Sequence, residues 1–445
     1  MMVTEILKNK TIIILAAILM IGLVLRVHSY STSPRLGATM DEFAWTWLGV
    51  NLIQEGAPKS WSSHPQYENS EREHLIYKGA AFWIVKPYLE HPPFFGIVAG
   101  SFALLNGADN MYDIDIGRIR PLAIILGVLS IGVLFLLVKE VYDKETALLA
   151  SLIYAITPTV AIGSRIVQNE NFFIPGFLTV LLFTIKYVKT KNKIFIVFVS
   201  MLCGLLLISK IPWIAASVAV ISILIYFKKY KESILVFGTV FAFFLGYIAY
   251  GYYYDWDLFI SLWKLQLQRY DLTFNSVYAI FKDPFLTDRH MIDGWIYFGW
   301  ISFFLLLIKD FKKNFLPILG LFAYLGVFIF AIPNEPGHGW YRYPFYPFLA
   351  ISIAIFIKDY FNKNILLTLS FILFFGLSLL ELTWTKMFGF SFLAFRGFLI
   401  LSSLSLLPLF FPDMKYKKYI SSLNYLFLIG IFSLSFLAVI LYRDL

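Results

Sequence analysis

Sulfur and charge are what this chain has least of. Its one cysteine, Cys203, lies inside an apolar run, so neither a disulfide framework nor a thiolate zinc site is available. Charged residues make up only 15% of the sequence. A soluble domain of similar length carries more charge and interrupts its apolar runs more often. A Gly-rich phosphate loop, a HExxH helix and a nucleophile elbow are all absent, which leaves cytosolic nucleotide binding without support. Low-complexity tracts, convincing repeats and a separate soluble domain are missing as well.

What is present is apolar. Hydrophobic residues reach 59% and the mean hydropathy is +0.74, the composition of a polytopic membrane protein. A membrane helix takes about 20 mainly apolar residues, somewhat fewer when neighbours cover its ends. The candidate spans are 11–27, 118–138, 146–164, 172–187, 194–209, 211–227, 233–253, 295–308, 315–332, 344–357, 365–384, 397–411 and 420–441. The first has lysines ahead of it and no small-residue cleavage site behind, and is expected to be a retained helix.

The net charge of +9 is spread along the chain instead of forming one patch. Every second connection is basic: Lys8/Lys10, Lys139/Lys144, Lys189/Lys191/Lys193, Lys228/Lys229/Lys231, Lys309/Lys312/Lys313, Lys358/Lys363 and Lys415/Lys417/Lys418. The positive-inside rule places these in the cytoplasm. Counting His91–Leu105 as a crossing would invert every later loop. It is therefore expected to be an interfacial or re-entrant helix within one folded external loop, 28–117, because re-entrant backbone needs protein or water around its polar groups. A second external loop runs over 254–294. The external connections then gather Asp41, Glu42, Glu90, His91, Arg165, Asn169, Glu170, Lys210, Arg269, His290, Asp293, His338, Tyr341 and Arg342 on one membrane face. Such a convergence implies a site at the outer boundary for something acidic that approaches through lipid.

Each motif has a plainer reading beside that one. Thr39-Met-Asp-Glu42 fits a capping box with Thr39 as N-cap, followed by Phe43, Trp47 and Val50 on one face of an amphipathic, membrane-lying helix. Asp41 is not needed for the cap, and a carboxylate there suits a general base. "YLEHPPF" sets Glu90 and His91 before a proline pair that stiffens the start of a helix. In "SRIVQNENFF", Asn169 or Asn171 suits a helix cap and Arg165 a headgroup anchor. Lys210 in "LISKIPW" suits a snorkelling lysine. "LQRYDL" carries Arg269. In "PNEPGHGWYRYPFYPF", Gly337 and Gly339 permit tight turns ahead of Tyr341-Arg342. Arginine's planar fork suits phosphate oxygens, and lysine adds a point charge.

The order of these motifs resembles the GT-C glycosyltransferases, and within them the protein mannosyltransferase and aminoarabinose transferase branch. The similarity runs to about residue 350. It implies an all-α polytopic GT-C fold of about thirteen helices with juxtamembrane helices in the first external loop. Residues 1–350 would form the catalytic module and 351–445 further membrane helices. It also implies an inverting transfer of a single sugar from a polyprenyl-phosphate donor to an acceptor hydroxyl of a lipid, glycan or protein. Asp41 matches the acid that activates or positions the acceptor, with Glu42 and Glu90 beside it. Lys210, Arg269, Tyr341 and Arg342 match the groups near the lipid phosphate, where they would stabilise the charge developing on it. His91 stands where the aminoarabinose branch carries lysine. Arg165, Asn169, Glu170 and His338 would complete the pocket. No nucleotide is required. A divalent metal is left open, with Glu90 and His91 as its candidate ligands and no histidine ligand evident ahead of Arg269. The Lys-, Ile- and Phe-rich composition suggests an AT-rich prokaryotic genome, hence an inner-membrane protein whose site faces the periplasm or exterior. Two rivals share parts of this pattern. A flippase or transporter would place ionisable residues near mid-membrane, and an outer-face glycan ligase would need a broader basic groove.

Overall fold

The computed structural model describes residues 2–37, 39–268, 280, 294–309, 311–331, 339–361, 363, 368, 389, 391–404, 406–411 and 413–442. These residues are mostly helical. The first helix, α1 (Met2–Val27), is followed by the folded loop that holds α2 (Asp41–Glu55), strands β1 (Ser60–Trp61), β2 (Glu71–Tyr77) and β3 (Ala80–Lys86), and α3 (Phe94–Leu105). The bundle continues with α4 (Ile116–Val141), α5 (Lys144–Ile156), α6 (Pro158–Gly163), α7 (Asn169–Thr190), α8 (Lys193–Leu207), α9 (Ile214–Tyr226), α10 (Tyr230–Tyr254) and α11 (Trp256–Gln268). Then come α12 (Gly294–Lys309), α13 (Phe311–Ala331), α14 (Tyr346–Asp359), α15 (Phe392–Leu404), α16 (Leu407–Phe410) and α17 (Lys417–Leu441).

Of the spans expected from hydropathy, all but 365–384 coincide with helices; that stretch lies outside the described residues apart from Thr368. Among the described residues, 6 helices are sufficient to cross a membrane by length and composition alone: α1, α4, α7, α10, α13 and α17. The span expected over 146–164 is broken into α5 and α6. Pro158 lacks an N–H, and its ring pushes Thr157 out of the helical region, to φ −56° and ψ 117°. Local side chains start several helices. Asp143 accepts from the amides of Glu145 and Thr146 at 3.0 and 2.9 Å, Asp115 from Arg118 at 3.1 Å and Asn192 from Ile194 at 3.0 Å, each satisfying donors that a helix start leaves open.

The basic connections share one end of the bundle. Lys189 pairs with Glu140 at 2.8 Å, Lys358 with Asp143 at 2.7 Å and Lys313 with Asp359 at 3.6 Å. Through these pairs the connections between α4 and α5, α7 and α8, α12 and α13, and the end of α14 meet one another. The loop 28–117 and the turns 164–168 and 208–213 stand at the other end, where the hydrogen bonds described below join them.

To the helical fold the first loop adds a three-stranded antiparallel sheet, ordered β1-β3-β2. Its hairpin turns at Lys78-Gly79, with φ of 49° and 82°, the doubly positive pattern that matches strand twist. Helix α2 departs from the expected membrane-lying helix. Glu42 through Asn51 are all buried, because Phe43, Trp47 and Val50 pack with Phe82 and Ile84 of β3 while Leu48 packs with Val85 and Leu89 on another side. Helix α3 packs along α2. The two approach backbone to backbone at glycine: a Cβ on Gly49 would land on the carbonyl of Gly96, and one on Gly100 on the Gly49–Val50 backbone. Gly49→Ala is expected to lower stability by about 1–3 kcal/mol, read as a fall in thermal unfolding temperature of the purified protein in detergent.

Candidate active site

Three buried arginines order the loop end of the bundle. The carbonyls at the end of a helix have no partners within it, and here guanidinium groups take two of them, on Leu25 and Ala155, along with carbonyls of the loop. Arg26 donates to the carbonyls of Gly22 and Ala155 at 3.0 and 3.2 Å. Arg165 donates to Leu25 at 2.8 Å and Ser33 at 3.2 Å. Arg120, near the start of α4, donates to Tyr30 at 2.8 Å and Pro34 at 2.5 Å. Its other nitrogens hold Glu42 with a two-pronged contact of 3.0 and 2.8 Å. Glu42 also accepts from the amide of Val167 at 3.0 Å. Both members of the pair are buried, Arg120 at 0% and Glu42 at 1% exposure.

Several local readings are corrected by these contacts. Glu42 does not reach back to close a capping box. The N-cap is Met40, without a side-chain bond, and the Thr39 hydroxyl accepts from the Asp41 amide at 3.2 Å. Arg165 is fully buried, not a headgroup anchor. Neither Asn169 nor Asn171 caps α7, whose N-cap is Gln168. Instead, Asn169 donates to the Ser209 carbonyl at 2.8 Å and accepts from the Trp213 indole at 2.7 Å, while Asn171 donates to Gly163 and Ile166, both at 2.9 Å. Lys210 is 8% exposed and does not snorkel.

A cavity of about 450 Å³ opens beside this framework. Of the expected site residues, Asp41, Glu90, His91, Lys210 and Tyr341 line it. Asp41 accepts from Gln168 at 3.2 Å, and the same amide nitrogen donates to Thr39 at 2.8 Å. Across the helix turn, Asp41 faces the cavity while Glu42 faces Arg120. The Lys210 ammonium pairs with Glu170 at 2.8 Å and lies 4.6 Å from the Tyr341 ring centroid and 5.5 Å from that of Trp213. Burial alone would pull its pKa down; Glu170, Tyr341 and Asp41 outweigh it and hold the pKa above the usual lysine value. The Tyr341 carbonyl accepts from Tyr324 at 2.6 Å, which fixes that wall. On the opposite chain segment, Glu90 stands 3.6 Å from His64, a residue that sequence reasoning missed. Burial first, then the Glu90 carboxylate, raises the pKa of both Tyr67 and Tyr88 well above the phenol range. His91 stacks on Trp45, with centroids 4.8 Å apart.

The remaining expected residues sit elsewhere. Glu42, Arg165, Asn169, Glu170 and Arg342 are buried and do not line the cavity. Arg269 and His338, like His290 and Asp293, lie outside the described residues. Among the described residues, no group of three or more His, Cys, Asp and Glu is arranged to hold a metal ion. The imidazole beside Glu90 is that of His64, whereas His91 is engaged with Trp45.

One side of the cavity is charged, from Asp41, Glu90 and Lys210. Another is apolar, from Leu262, Trp263 and Leu267 of α11 and Phe330 of α13. Leu267 and Phe330 are also 62% and 67% exposed, so the apolar side is where the cavity opens. The arrangement suits an amphiphile whose acidic head meets Lys210 while its tail leaves across apolar surface.

A polytopic membrane bundle with a charged cavity under a folded loop between its first two long helices is the architecture of the GT-C glycosyltransferases. The comparisons with known proteins agree. Residues 90–250 match the dolichyl-phosphate-mannose-protein mannosyltransferase family. The chain is similar to ArnT from Cupriavidus metallidurans bound to undecaprenyl phosphate, at 12% identity and a TM-score of 0.58, covering 97% of this chain and 77% of that one. It is also similar to the oligosaccharyltransferase AglB from Archaeoglobus fulgidus in complex with an inhibitory peptide and a dolichol-phosphate. That likeness has 12% identity and a TM-score of 0.50 and covers 97% of this chain but 55% of that one. These likenesses establish the GT-C fold. No sequence among curated proteins matches the chain.

Removing one member of a buried ion pair strands the other and costs about 3–5 kcal/mol, whereas removing both costs much less. Arg120→Met is therefore expected to destabilise strongly, and the double variant Glu42→Gln/Arg120→Met to recover part of the loss. A thermal-denaturation double-mutant cycle reads the difference.

Proposed function

We propose that this protein is an inverting glycosyltransferase that moves a single sugar from a polyprenyl-phosphate donor to an acceptor hydroxyl on the non-cytoplasmic face of a prokaryotic membrane. The observation that carries this reading is the meeting of Asp41, Lys210 and Tyr341 in one cavity with an apolar opening. A phosphate on a lipid fits that combination: its charge meets the ammonium and its tail meets Leu267 and Phe330. The ArnT neighbour is described as bound to undecaprenyl phosphate and the AglB neighbour as in complex with a dolichol-phosphate, which favours the same class of donor here.

The chemistry follows from the charges. The acceptor hydroxyl attacks the anomeric carbon in line, a new C–O bond forms, and the bond from that carbon to the phosphate oxygen breaks. Asp41 takes the hydroxyl proton, and the bond's electron pair leaves with the prenyl phosphate. Lys210 neutralises the added charge in a partly dry site, where such a contact is stronger than in water. Glu170, behind the wall, holds the ammonium in place. Arg342 is buried next in sequence to Tyr341 and does not line the cavity. The outer face is favoured because the lysine-rich connections meet at the opposite end of the bundle.

A transporter is the weaker reading. Its ionisable groups would interrupt helices near mid-membrane. Here Arg26 lies in the last turn of α1 and Arg120 in the first turns of α4, while Arg165 and Lys210 lie between helices.

Asp41→Asn is expected to reduce transfer from a radiolabelled polyprenyl-phosphate sugar by about a hundredfold or more while leaving donor binding intact. Full activity in that variant would remove Asp41 from the mechanism. Because the Lys210 pKa is raised, its ammonium persists through neutral and mildly alkaline pH. Binding of the donor is therefore expected to stay flat between about pH 7.5 and 9, as measured by a filter-binding titration with a labelled polyprenyl-phosphate sugar, whose phosphodiester does not titrate in that range.

A further inference from the structure

Deepening the glycosyl-transfer reading on which it rests, we propose that the same cavity contains an acceptor subsite for a sugar, built from Trp45, Trp61, His64 and Glu90. Lys210 and Tyr341 come from the turns after α8 and before α14, whereas these four come from α2, from β1 and the segment after it, and from the segment after β3. The cavity thus has two walls of separate origin, one for the donor phosphate and one for its partner.

Trp45 backs this wall. It lines the cavity and is 3% exposed. Its ring is held between His91, at 4.8 Å, and Phe95, at 5.5 Å, a fixed apolar floor on which a sugar ring can rest.

The neighbouring groups suit a polyol. Trp61 from β1 is only partly covered and lines the cavity with aromatic surface, which the C–H face of a pyranose can cover. Glu90 and His64 stand together beside it, 3.6 Å apart. A carboxylate and an imidazole offer the acceptor and donor atoms that vicinal hydroxyls require. The segment is preorganised. The Ser62 hydroxyl accepts from the His64 amide at 3.0 Å, the Tyr67 hydroxyl from the Leu89 amide at 3.0 Å, and the Pro58 carbonyl from the Tyr88 amide at 2.7 Å.

A peptide acceptor fits less well. Extended peptides usually bind by adding a strand to a sheet edge. The strand that reaches the cavity, β1, is 2 residues long. It is tied to α2 as well, through the Ser60 hydroxyl, which donates to the Ala44 carbonyl at 2.6 Å.

The test uses the full chain in lipid nanodiscs and saturation-transfer NMR. The sugar probes are the methyl glycosides of glucose, mannose, galactose and N-acetylglucosamine, and the competing probe is an acetylated Ser/Thr hexapeptide. Retention of added undecaprenyl phosphate is measured on the same samples. We expect at least one glycoside to bind and the peptide not to. Trp45→Leu, which removes the aromatic floor and keeps an apolar side chain, should weaken the glycoside about fivefold. His64→Gln should weaken it similarly, and Trp61→Leu should abolish it, all with lipid retention unchanged. Binding of the peptide alone, or equal glycoside binding by wild type and all three variants, would overturn the subsite. Lipid retention without any glycoside binding would overturn this inference and spare the donor reading. Glycoside binding that follows the three substitutions, in a protein that never retains the lipid, would uphold the subsite and overturn the donor reading.

Discussion

The pair between Glu42 and Arg120 is the constraint on which the site depends. A buried ion pair is costly to desolvate and is held in place only when further hydrogen bonds satisfy both groups. Arg120 meets that condition with two loop carbonyls and both carboxylate oxygens, and Glu42 adds the Val167 amide. Four stretches of chain far apart in sequence are thereby fixed to one another: the turn after α1, the start of α2, the start of α4 and the segment before α7. Adjacent residues on a helix point about 100° apart. With Glu42 turned toward Arg120, Asp41 is presented to the cavity.

The same design recurs at Lys210. Its cation stands on the cavity wall while the countercharge, Glu170, is buried behind at 0% exposure. The wall charge is thus held by a partner that substrate does not touch. Around both pairs the loop is packed tightly through the glycine contacts of α2 and α3 and the sheet against α2. In the proposed role, holding an anomeric carbon between a base and a phosphate clamp, the cavity needs such rigidity, since misplacement by about 1 Å can cost about a hundredfold in rate.

Much of this was legible in advance. Long apolar runs announce helices because lipid leaves backbone groups no other partner, and alternating lysine clusters sort the connections into two ends. Asp41, Glu90, His91, Lys210 and Tyr341 were singled out, and all line the cavity. Glu42, Asn169, Glu170, Arg165 and Arg342 were singled out too, but local sequence does not tell a cavity wall from the layer behind it. Arg120 was missed because it sits in an otherwise apolar helix and its partner is 78 residues away. His64 lies in an irregular stretch with no periodicity to place it. The sheet had one available signal, the Lys78-Gly79 turn between two runs rich in apolar residues, and the helical character of the rest of the chain obscured it.

The account stands or falls on what occupies the cavity. Native mass spectrometry of the protein, extracted with its surrounding lipid from the membrane in which it is made, addresses this directly. A bound polyprenyl phosphate or its sugar adduct, lost on Lys210→Met, is the predicted result. Ordinary phospholipid alone, retained equally by wild type and Lys210→Met, would contradict it.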